Sequence, residues 1–484
     1  MQFEPVIGLE IHVEMLTSSK MFCSCAVVDL PSAEPNSAVC PICAGHPGTL
    51  PVPNIKAIEY GYKVAAALGC TLATTSVFSR KNYFYPDLPK GYQITQYDEP
   101  IASNGMITLY TSQGYRDIRI RRVHLEEDTG KLTHATSANE TYSLVDLNRA
   151  GVPLLEIVTE PDFHSAEEVR VYAEYLRALV RYLGVNSGDL EKGVMRIEPN
   201  ISVRPVGQEE LGTKVEIKNL NSFRILERGV DFEIKRHIAL IESGGKVKQE
   251  TVGWDEAKQE TYSQRSKEDA HDYRYFPEPD IPPITVDREW LNGLYSTLPE
   301  TPWGKAKRFV EQYQLQQQEA WQLAGDIDTC TFFEAVVKEN PAVSIRTVFS
   351  WVTGELMALL SSRNASILNS PITAKGLADL LGTILDGTIN QQTAKTLLVD
   401  MFDSGKTAKD IILAKNLGQV SDSTLINDLI ATVLQENEPE VQSYQDGKVT
   451  VINFLFGQVM KKAQGKANPL VVRTELERQL NHGK

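Results

Sequence analysis

Acidic and imidazole side chains alternate with apolar ones in the segment Gly8–Glu14. In a β-strand successive side chains point to opposite faces, so Glu10, His12 and Glu14 would share one face while the apolar residues between them face a core. Two carboxylates that flank an imidazole suit a divalent cation such as Mg²⁺. A half-buried edge strand with a solvated polar face shows the same alternation, so this segment alone leaves both interpretations open.

The same alternation recurs in three more segments of the chain. Residues 123–128 place His124, Glu126 and Asp128 on one face. The other two segments contribute a longer row of polar side chains: Arg196, Glu198, Asn200, Ser202, Arg204, Glu216 and Lys218. Several strands that present acids and bases from one face predict a sheet with one charged, catalytic side.

Four of the six cysteines fall within a window of 21 residues, in the order C-x-C, 14 residues, C-x₂-C. They are Cys23, Cys25, Cys40 and Cys43. In a cytosolic protein this spacing favours a structural zinc site over disulfides, with reduced structural thiols as the alternative. A closed four-thiolate site would brace its loop and take no part in a reaction.

Length and composition are those of an ordinary globular chain of 484 residues with a formal net charge of −14. The length predicts about two to four domains. The acidic balance argues against nonspecific coating of nucleic acid. We expect a cytoplasmic location, because the sequence shows no secretory signal and no apolar run approaches the ~18 residues of a membrane span.

Other segments must position the charged faces. Asn54 precedes an Ala-rich helical pattern over residues 55–68, and Asn104-Gly105 predicts a tight hairpin turn. Residues 79–94 combine four aromatics, two prolines and three cations. That composition indicates either an ordered loop that grips a ligand or a surface loop anchored by its tyrosines.

From about residue 295 onward the apolar period becomes helical, and a second all-helical unit is predicted to begin near residue 410. In this unit Lys461, Lys462 and Lys466 form a small cationic cluster within an acidic protein. Such a cluster suits contact with a phosphate backbone. Lysines that stabilise the C-terminus of a helix would look the same in the sequence.

Several motifs of nucleotide and acyl chemistry do not occur in the sequence. There is no G-x₄-G-K-[ST], no strand-linked G-x-G-x-x-G and no G-x-S-x-G elbow. An enzyme built on sheet-borne Glu and His clusters with Arg and Lys, but without a P-loop, fits metal-assisted phosphoryl transfer onto a carboxylate.

Nine segments together closely resemble the GatB family, the B subunits of the glutamyl/aspartyl-tRNA amidotransferases. They span nearly the whole chain and include HLEEDTGK and LVDLNRAGVPLLEIVTEP. The segments are Gly8–Glu14, Cys23–Cys43 with the following Gly45–Gly48, Ser79–Gln96, His124–Lys131, Leu144–Pro161, Glu216–Phe223, Arg265–Pro283, Gly457–Met460 and Gly465–Pro469.

This resemblance implies an α+β protein. A cradle-shaped catalytic domain with a glutamine-synthetase-like antiparallel sheet would occupy residues 1–293 and include the zinc loop 23–43. A helical domain over residues 294–409 and an all-α tail over residues 410–484 that contacts tRNA would follow it.

The resemblance also implies the reaction and the partners. The side-chain carboxylate of Glu-tRNA(Gln) or Asp-tRNA(Asn) would be phosphorylated with ATP, and ammonia would then displace phosphate to give the amide. The ammonia would come from glutamine hydrolysis on a separate amidase subunit, and a small third subunit would brace the pair in a heterotrimer. The absence of a glutaminase motif in the sequence agrees with that division of labour.

The expected catalytic and Mg²⁺-binding residues are Glu10, His12, Glu126 or Glu127, and Glu156. Strand alternation favours Glu126 over its neighbour, and the resemblance does not decide between them. Candidates for phosphate or carboxylate contacts, each of which could instead form an ordinary surface ion pair, are Lys81, Lys90, Arg204, Lys218, Arg265 and Arg274. For tRNA the expected contacts are Lys461, Lys462 and Lys466, and for structural zinc the four clustered cysteines.

One position departs from the family pattern. Arg196 is usually followed by Cys-Asp, whereas this chain has Ile197-Glu198, which keeps the charge on a longer arm. Two other functions are compatible with parts of the sequence: an ATP-dependent ligase that amidates a small free acid, and a non-catalytic RNA-binding scaffold. The lysine-bearing tail argues against the first, and the repeated carboxylates, which repel phosphate without a metal, argue against the second.

Overall fold

The computed structural model describes residues 2–137, 140–266, 272–415, 417, 423–463, 467 and 469–481. Within those ranges the side chains of residues 137, 265–266, 423–425 and 469–470 are not described. The chain divides into two compact units, Met1–Lys305 and Ala306–Lys484. The predicted borders after residues 293 and 409 stay predictions.

The described strands all lie in the first unit. In chain order they are β1 (Phe3–Glu14), β2 (Thr71–Leu72), β3 (Thr75–Ser76), β4 (Ser79–Asn82), β5 (Tyr92–Thr95), β6 (Ala102–Thr111), β7 (Gly114–Glu127), β8 (Lys131–Ser137), β9 (Glu140–Asp146), β10 (Pro153–Thr159), β11 (Met195–Pro205), β12 (Val215–Lys218), β13 (Glu250–Asp255), β14 (Glu260–Ser266), β15 (Phe276–Pro277) and β16 (Ile284–Thr285).

The first unit also contains four complete helices, among the residues described: α1 (Ile55–Ala67), α2 (Ala166–Tyr182), α3 (Phe223–Glu242) and α4 (Arg288–Ser296). The helices that follow are α5 (Pro302–Tyr313), α6 (Gln317–Ala324), α7 (Ile327–Glu339), α8 (Ile345–Ser350), α9 (Met357–Ser362), α10 (Ala374–Leu385), α11 (Gln391–Ser404), α12 (Ala408–Lys415), α13 (Ser423–Glu436), α14 (Glu438–Gln445), α15 (Ile452–Lys462) and α16 (Pro469–Asn481). A π-helical segment spans Trp351–Leu356, and short 3₁₀ turns span Ile367–Asn369 and Val449–Val451.

Nine of the described strands form one large sheet in the order β14-β13-β12-β11-β1-β10-β7-β6-β2. Its neighbours pair antiparallel except for β12 and β13, which run parallel. The sheet is therefore mixed, and the predicted α+β class is confirmed. The predicted strand at Gly8–Glu14 is confirmed as part of β1, at the centre of this sheet.

The two faces of the large sheet differ as the alternation predicts. Leu9, Ile11 and Val13 of β1 are buried in the apolar core, and helices α1, α2 and α3 pack in this region. The helix predicted over residues 55–68 is α1, and the side chain of Asn54 accepts hydrogen bonds from its first backbone N–H groups. On the polar side, a small sheet of β15, β4 and β5 packs against β7.

The hairpin turn predicted at Asn104-Gly105 is wrong. β6 continues through both residues, and the chain turns instead at Ser112 and Gln113 before it enters β7. Asn104 adopts a positive φ of 56° within the strand. It lies level with Arg121, where β7 has a bulge against β10. Asn104 therefore serves a strand irregularity, since asparagine tolerates a positive φ, while a Cβ at Gly105 would collide with Cys70 Sγ.

The second unit is helical in its described residues and contains two apolar clusters. One cluster is built from residues between Ala306 and Ile412, the other from residues between Ile426 and Leu480. This agrees with the helical period expected after residue 295. None of the helices in the described part of the chain combines the length and apolar character that a bilayer crossing requires.

Candidate functional site

The register of the central strands brings the expected residues together. His12 on β1 pairs with Glu156 on β10, which in turn pairs with His124 on β7. Because paired residues of antiparallel strands project on the same face, these three side chains form a row across the sheet. Glu10 and Glu126 lie two residues along their own strands and therefore share this face.

The side chains meet around His12. Its Nε2 lies 3.6 Å from Glu10 Oε1, 3.5 Å from Glu126 Oε1 and 3.5 Å from Glu156 Oε2. On β7, His124 Nε2 lies 3.1 Å from Glu156 Oε2 and 3.9 Å from Glu126 Oε2. The hydroxyl of Thr95 on β5 donates to Glu126 Oε2 at 3.2 Å, which adds a contact from the small sheet.

Crowding of carboxylates perturbs their protonation. Burial, together with the negative charge of Glu156, raises the pKa of Glu10 to about 7. Burial alone would lower the pKa of His12, but the hydrogen bond with Glu156 and the charge of Glu126 raise it to about 9. Burial also raises the pKa of Glu126. Burial acts upward on the pKa of Glu156 as well, yet the charge of His124 holds that pKa well below its usual range.

Glu10, Glu126, Glu156 and His124 line a cavity of about 470 Å³, the large cavity, between the large and the small sheet. Three cations and three tyrosines face the same space, and they come from both sheets, from the segment after β5 and from the segment before β15. They are Lys81, Arg122, Lys218, Tyr97, Tyr273 and Tyr275. A pocket that combines buried carboxylates with cations and perturbed pKa values is typical of a catalytic site.

The donor set fits a divalent cation. Glu10, His12 and Glu156 each offer one ligand atom within 4.8 Å of the other two, and so do His124, Glu126 and Glu156. Around Mg²⁺, with bonds of ~2.1 Å, neighbouring ligands stand ~3 Å and opposite ligands ~4.2 Å apart. Hard carboxylate oxygens are the usual ligands of Mg²⁺, and imidazoles are less common ones, so the carboxylates carry this fit.

Glu127 and Lys90 lie at a different place from the cluster. The side chain of Glu127 is absent from the lining of the large cavity; its Oε1 lies 2.6 Å from Lys90 Nζ and accepts from the backbone N–H of Ile94 at 3.0 Å. Both line a second cavity, of about 280 Å³, beside the cysteine loop. The geometry thus places Glu126, and not its neighbour, beside His12.

The remaining expected phosphate contacts are scattered. Lys81 and Lys218 line the large cavity, whereas Arg204 pairs with Glu4 at 2.7 Å and Arg274 is exposed outside the cavity lining. The side chain of Arg265 lies outside the described residues.

In the tail, Lys461 and Lys462 are exposed in the last turn of α15, and Lys462 Nζ lies 2.5 Å from Glu436 Oε1. That placement suits the alternative role of stabilising a helix C-terminus. Lys466 lies outside the described residues, so the structure does not show how the three lysines are arranged.

Two acids of the predicted charged faces form a separate cluster. Asp128 lies 2.9 Å from Arg196 Nη1, and Arg196 also approaches Glu14 at 3.4 Å. Burial and the charge of Asp128 raise the pKa of Glu14 to about 8.

Glu198, the position that departs from the family pattern, accepts from Lys218 Nζ at 2.8 Å and pairs with Glu10 across β1 and β11.

The four cysteines of the loop meet, as their spacing predicts. They are free thiols whose Sγ atoms all lie within 4.8 Å of one another. Cys43 Sγ is 3.8 Å from Cys40 Sγ and 4.0 Å from Cys25 Sγ. Tetrahedral zinc with bonds of ~2.3 Å holds its sulfurs ~3.8 Å apart, so this donor set fits zinc.

A fully buried lysine adjoins the thiols. Lys20 Nζ donates to the backbone oxygens of Ala38 at 2.8 Å and Leu147 at 3.1 Å, and it lies 3.6 Å from Cys43 Sγ. A hydrogen bond from Cys23 and the charge of Lys20 help to lower the pKa of Cys43 to about 4. Cys43 thus favours the thiolate, which is the form that binds metal, whereas burial raises the pKa of Cys25 to about 11.

Sequence reasoning left several cavity residues without a role. His124 stands on the predicted polar face of its segment, and its alternation with Glu126 was signal enough to include it. Arg122 has the same parity as His124 and could have been found in the same way. Glu216 belongs to the predicted polar row with Lys218, whereas Tyr97 and Tyr273 reach the cavity only through tertiary folding, so spacing gave no signal for these two tyrosines.

Comparison with known proteins adds two matches along the chain. The family described as the GatB/GatE catalytic domain matches residues 5–292, and the family described as the GatB domain matches residues 331–480. A relative from Persephonella marina is 46% identical over 480 residues, which cover 99% of each chain. Relatives from Carboxydothermus hydrogenoformans and Thermodesulfovibrio yellowstonii are 45% and 47% identical, covering 99% and 98% of each chain, respectively.

All three relatives are named as the B subunit of an aspartyl/glutamyl-tRNA(Asn/Gln) amidotransferase. A sheet-borne carboxylate centre followed by a helical unit, with these matched domains, defines the class of amidotransferase catalytic subunits. The chain belongs to the GatB family, and the family predicted from its motifs is confirmed.

Proposed function

We propose that this chain is the B subunit of a tRNA-dependent amidotransferase. It phosphorylates the side-chain carboxylate of Glu-tRNA(Gln), Asp-tRNA(Asn) or both with ATP, and ammonia then displaces phosphate to give the amide. The observation that carries this proposal is the carboxylate and imidazole cluster that the register assembles in a chain of the GatB family.

The chemical reason for this cluster lies in the substrate. A carboxylate is a poor electrophile, so conversion into an acyl phosphate gives ammonia a leaving group to displace. Glu10, His12, Glu126 and Glu156 would hold Mg²⁺, which when bound neutralises phosphate charge and orients the transferred group. Lys81 faces the same cavity and adds positive charge where negative charge develops.

Protonation is linked to cation binding at this cluster. The pKa of His12 is raised to about 9 and that of Glu10 to about 7, so both carry protons over part of the neutral range without a cation. Metal ligands must be deprotonated, so these two groups give up protons when a divalent cation binds. Lys218, held by Glu198, keeps a positive charge at the cavity wall in either state.

The cysteine cluster has a different role in this proposal. Zinc held by Cys23, Cys25, Cys40 and Cys43 would brace the loop that forms one wall of the second cavity, where Cys43 and Lys90 both face. A site with four thiolate ligands leaves no open position for a substrate, so its contribution is to folding.

The proposal extends to partners. An amidase subunit supplies ammonia from glutamine, and a small third subunit completes the heterotrimer, while Lys461, Lys462 and Lys466 of the tail contact the tRNA. The location that goes with this proposal is the cytoplasm, where aminoacyl-tRNA is made and used in translation. The helical tail supports this function over the small-acid ligase, because a small substrate needs no extended arm.

The test is ATP cleavage by the complete complex of this chain with the amidase and small subunits, with and without Glu-tRNA(Gln) or Asp-tRNA(Asn). We expect cleavage to require a charged tRNA and to be lost in Glu10→Ala. Glu4→Ala is the matched control, since Glu4 lies on the same strand and pairs with Arg204 outside the cavity. Cleavage that does not depend on charged tRNA would favour the small-acid ligase, and full activity of Glu10→Ala would refute the assignment of the cluster.

A further inference from the structure

One arginine of β7 differs from the others on its strand. Arg116 lies 3.5 Å from Glu168, Arg119 lies 2.6 Å from Asp162, and Arg121 lies 3.3 Å from Glu160. Arg122 forms no such ion pair with any of the described residues, and its Nε is buried without a hydrogen-bond partner among them.

An unpaired guanidinium at this position requires a physical explanation. A buried donor without a partner costs stability, and native structures rarely keep one unless a ligand or ordered solvent completes it. Arg122 lines the large cavity together with Glu10, Glu126 and Glu156, so acids are near but not bound to it. The chain therefore holds a cation beside its carboxylate cluster without neutralising it.

Aromatic packing holds this arginine in place. The guanidinium carbon of Arg122 lies over the ring of Tyr97, 5.7 Å from its centroid, and Tyr97 stacks on Tyr275 at 4.1 Å and 10°. A guanidinium that lies over a ring keeps its N–H donors along its edge, where they can meet two oxygens of one planar or tetrahedral anion. The stack thus prepares an anion-binding group at low entropic cost.

The position of Arg122 complements that of the other cations. Across the sheet Arg122 is level with Val158, which is level with Glu10, so Arg122 and Glu10 stand two strands or ~10 Å apart. Lys218 lies on the opposite side of Glu10, on β12, and is already bound to Glu198. Arg122 is therefore the cation at the β7 side of the cluster that has no carboxylate partner among the described residues, and an anion bound there would have to come from a substrate.

We propose that Arg122 binds an oxyanion of the substrates, either the side-chain carboxylate of the aminoacyl group or a phosphate of ATP. This inference rests on the proposed function. The two sources share one chemistry, a pair of oxygens held by a guanidinium. Removal of the guanidinium distinguishes the two sources, because it weakens binding of the charged tRNA in one case and of ATP in the other.

The test measures KM for ATP and KM for Glu-tRNA(Gln) separately, in the complete complex with the amidase and small subunits, for Arg122→Gln and Arg122→Lys. Arg121→Gln is the matched control, because Arg121 is the adjacent arginine, is exposed and pairs with Glu160 outside the cavity. We expect Arg122→Gln to raise one KM by about tenfold or more, and Arg122→Lys to recover part of the loss. The control should stay within about twofold of the wild type.

Each outcome has a defined meaning. A rise in KM for the charged tRNA assigns the contact to the carboxylate, a rise in KM for ATP assigns it to a phosphate, and a rise in both supports a contact shared by the reacting groups. If both values stay within about twofold while the wild type is tRNA-dependent, the inference fails and the proposed function stands. If the wild type shows no ATP cleavage that depends on charged tRNA, the proposed function fails, and the inference fails as well because it rests on that function.

A purely structural role would look different. In that case Arg122→Gln and Arg122→Lys would lower the melting temperature and the amount of active enzyme, measured by active-site titration, with both KM values unchanged. That pattern would overturn the inference as well.

Discussion

The two candidate metal centres of the first unit are built in opposite ways. The thiol centre takes all its ligands from residues 23–43, so the loop that carries them is also the structure that the metal would brace. The carboxylate centre takes its ligands from residues 10–156, on three neighbouring strands of a sheet that is held by its own pairing and apolar core. One centre can therefore stabilise the fold, whereas the other depends on the fold.

The two centres also differ in how their negative charge is balanced. Lys20 is buried against Cys43, so part of the negative charge of the thiolates is balanced by the protein. At the carboxylate centre the acids crowd one another, and burial with the charge of Glu156 raises the pKa of Glu10 to about 7. A divalent cation relieves this repulsion, so the second centre should bind its ion reversibly and in competition with protons.

The largest effect is expected from Glu156, because it belongs to both sets of possible ligands at the carboxylate centre. Glu156→Gln should lower ATP cleavage that depends on charged tRNA by on the order of 10²–10³-fold. The neutral amide binds a divalent cation less well than the carboxylate does, and it does not balance the positive charge of His12 and His124. The zinc content of the Glu156→Gln variant should equal that of the wild type. Glu160→Gln is the control, because Glu160 pairs with the exposed Arg121. If Glu156→Gln cleaved ATP at nearly the rate of the wild type, the carboxylate centre would not be the catalytic one, and the two centres would not differ in function.

The next effect concerns stability. Cys43→Ser should release zinc and lower the free energy of unfolding by about 3 kcal/mol, because a buried ligand of a loop-bracing site is lost. Activity well below the melting temperature should fall far less than in Glu156→Gln, since a closed site does no chemistry. The measurements are metal content and thermal unfolding, with Cys70→Ala as a control at a buried thiol outside the cluster. Equal loss of activity in the two variants would contradict the comparison.

The third prediction concerns pH. The pKa of His12 is raised to about 9 and that of Glu10 to about 7, so a cation must displace one proton between these values and two below pH 7. The dissociation constant for Mg²⁺ should therefore rise as pH falls, by about tenfold per unit between pH 9 and 7 and more steeply below 7. Calorimetric titration at several pH values measures this slope. Glu10→Gln should bind more weakly and lose the steeper part, and a constant affinity from pH 6 to pH 9 would rule out the linkage.

The smallest effect is expected at Lys20. Lys20→Met keeps most of the length of the side chain but removes the buried charge beside Cys43, so the affinity for zinc should fall by about tenfold while the fold is kept. Competition with a chelator measures this change. Lys56→Met is the control, because Lys56 is exposed and its carboxylate partner is Glu59, on the same helix. An unchanged affinity would mean that the thiols alone set zinc binding.

Much of the fold could be predicted because its signals are local. The alternation in Gly8–Glu14 predicts a strand with one polar face, and β1 is that strand. Asn-Gly at residues 104–105 shows where local reasoning fails: a type I′ turn and a positive-φ position within a strand need the same residues, and only strand pairing decides between them. The domain borders stay predictions, and so does tRNA contact by the tail lysines, of which Lys466 lies outside the described residues.

Residue types and their spacing identify the side chains that have the chemistry to act: four thiols at metal-ligand spacing, and acids and imidazoles on alternating positions of several segments. Which of these side chains meet depends on the pairing of distant strands. Strand register, set by burial of the apolar face, aligns His12 with Glu156 and His124 and turns Glu127 away to Lys90. Spacing within a segment is a local property and fixes the face on which a side chain lies. Its neighbours across the sheet come from distant parts of the chain, so local spacing cannot identify them.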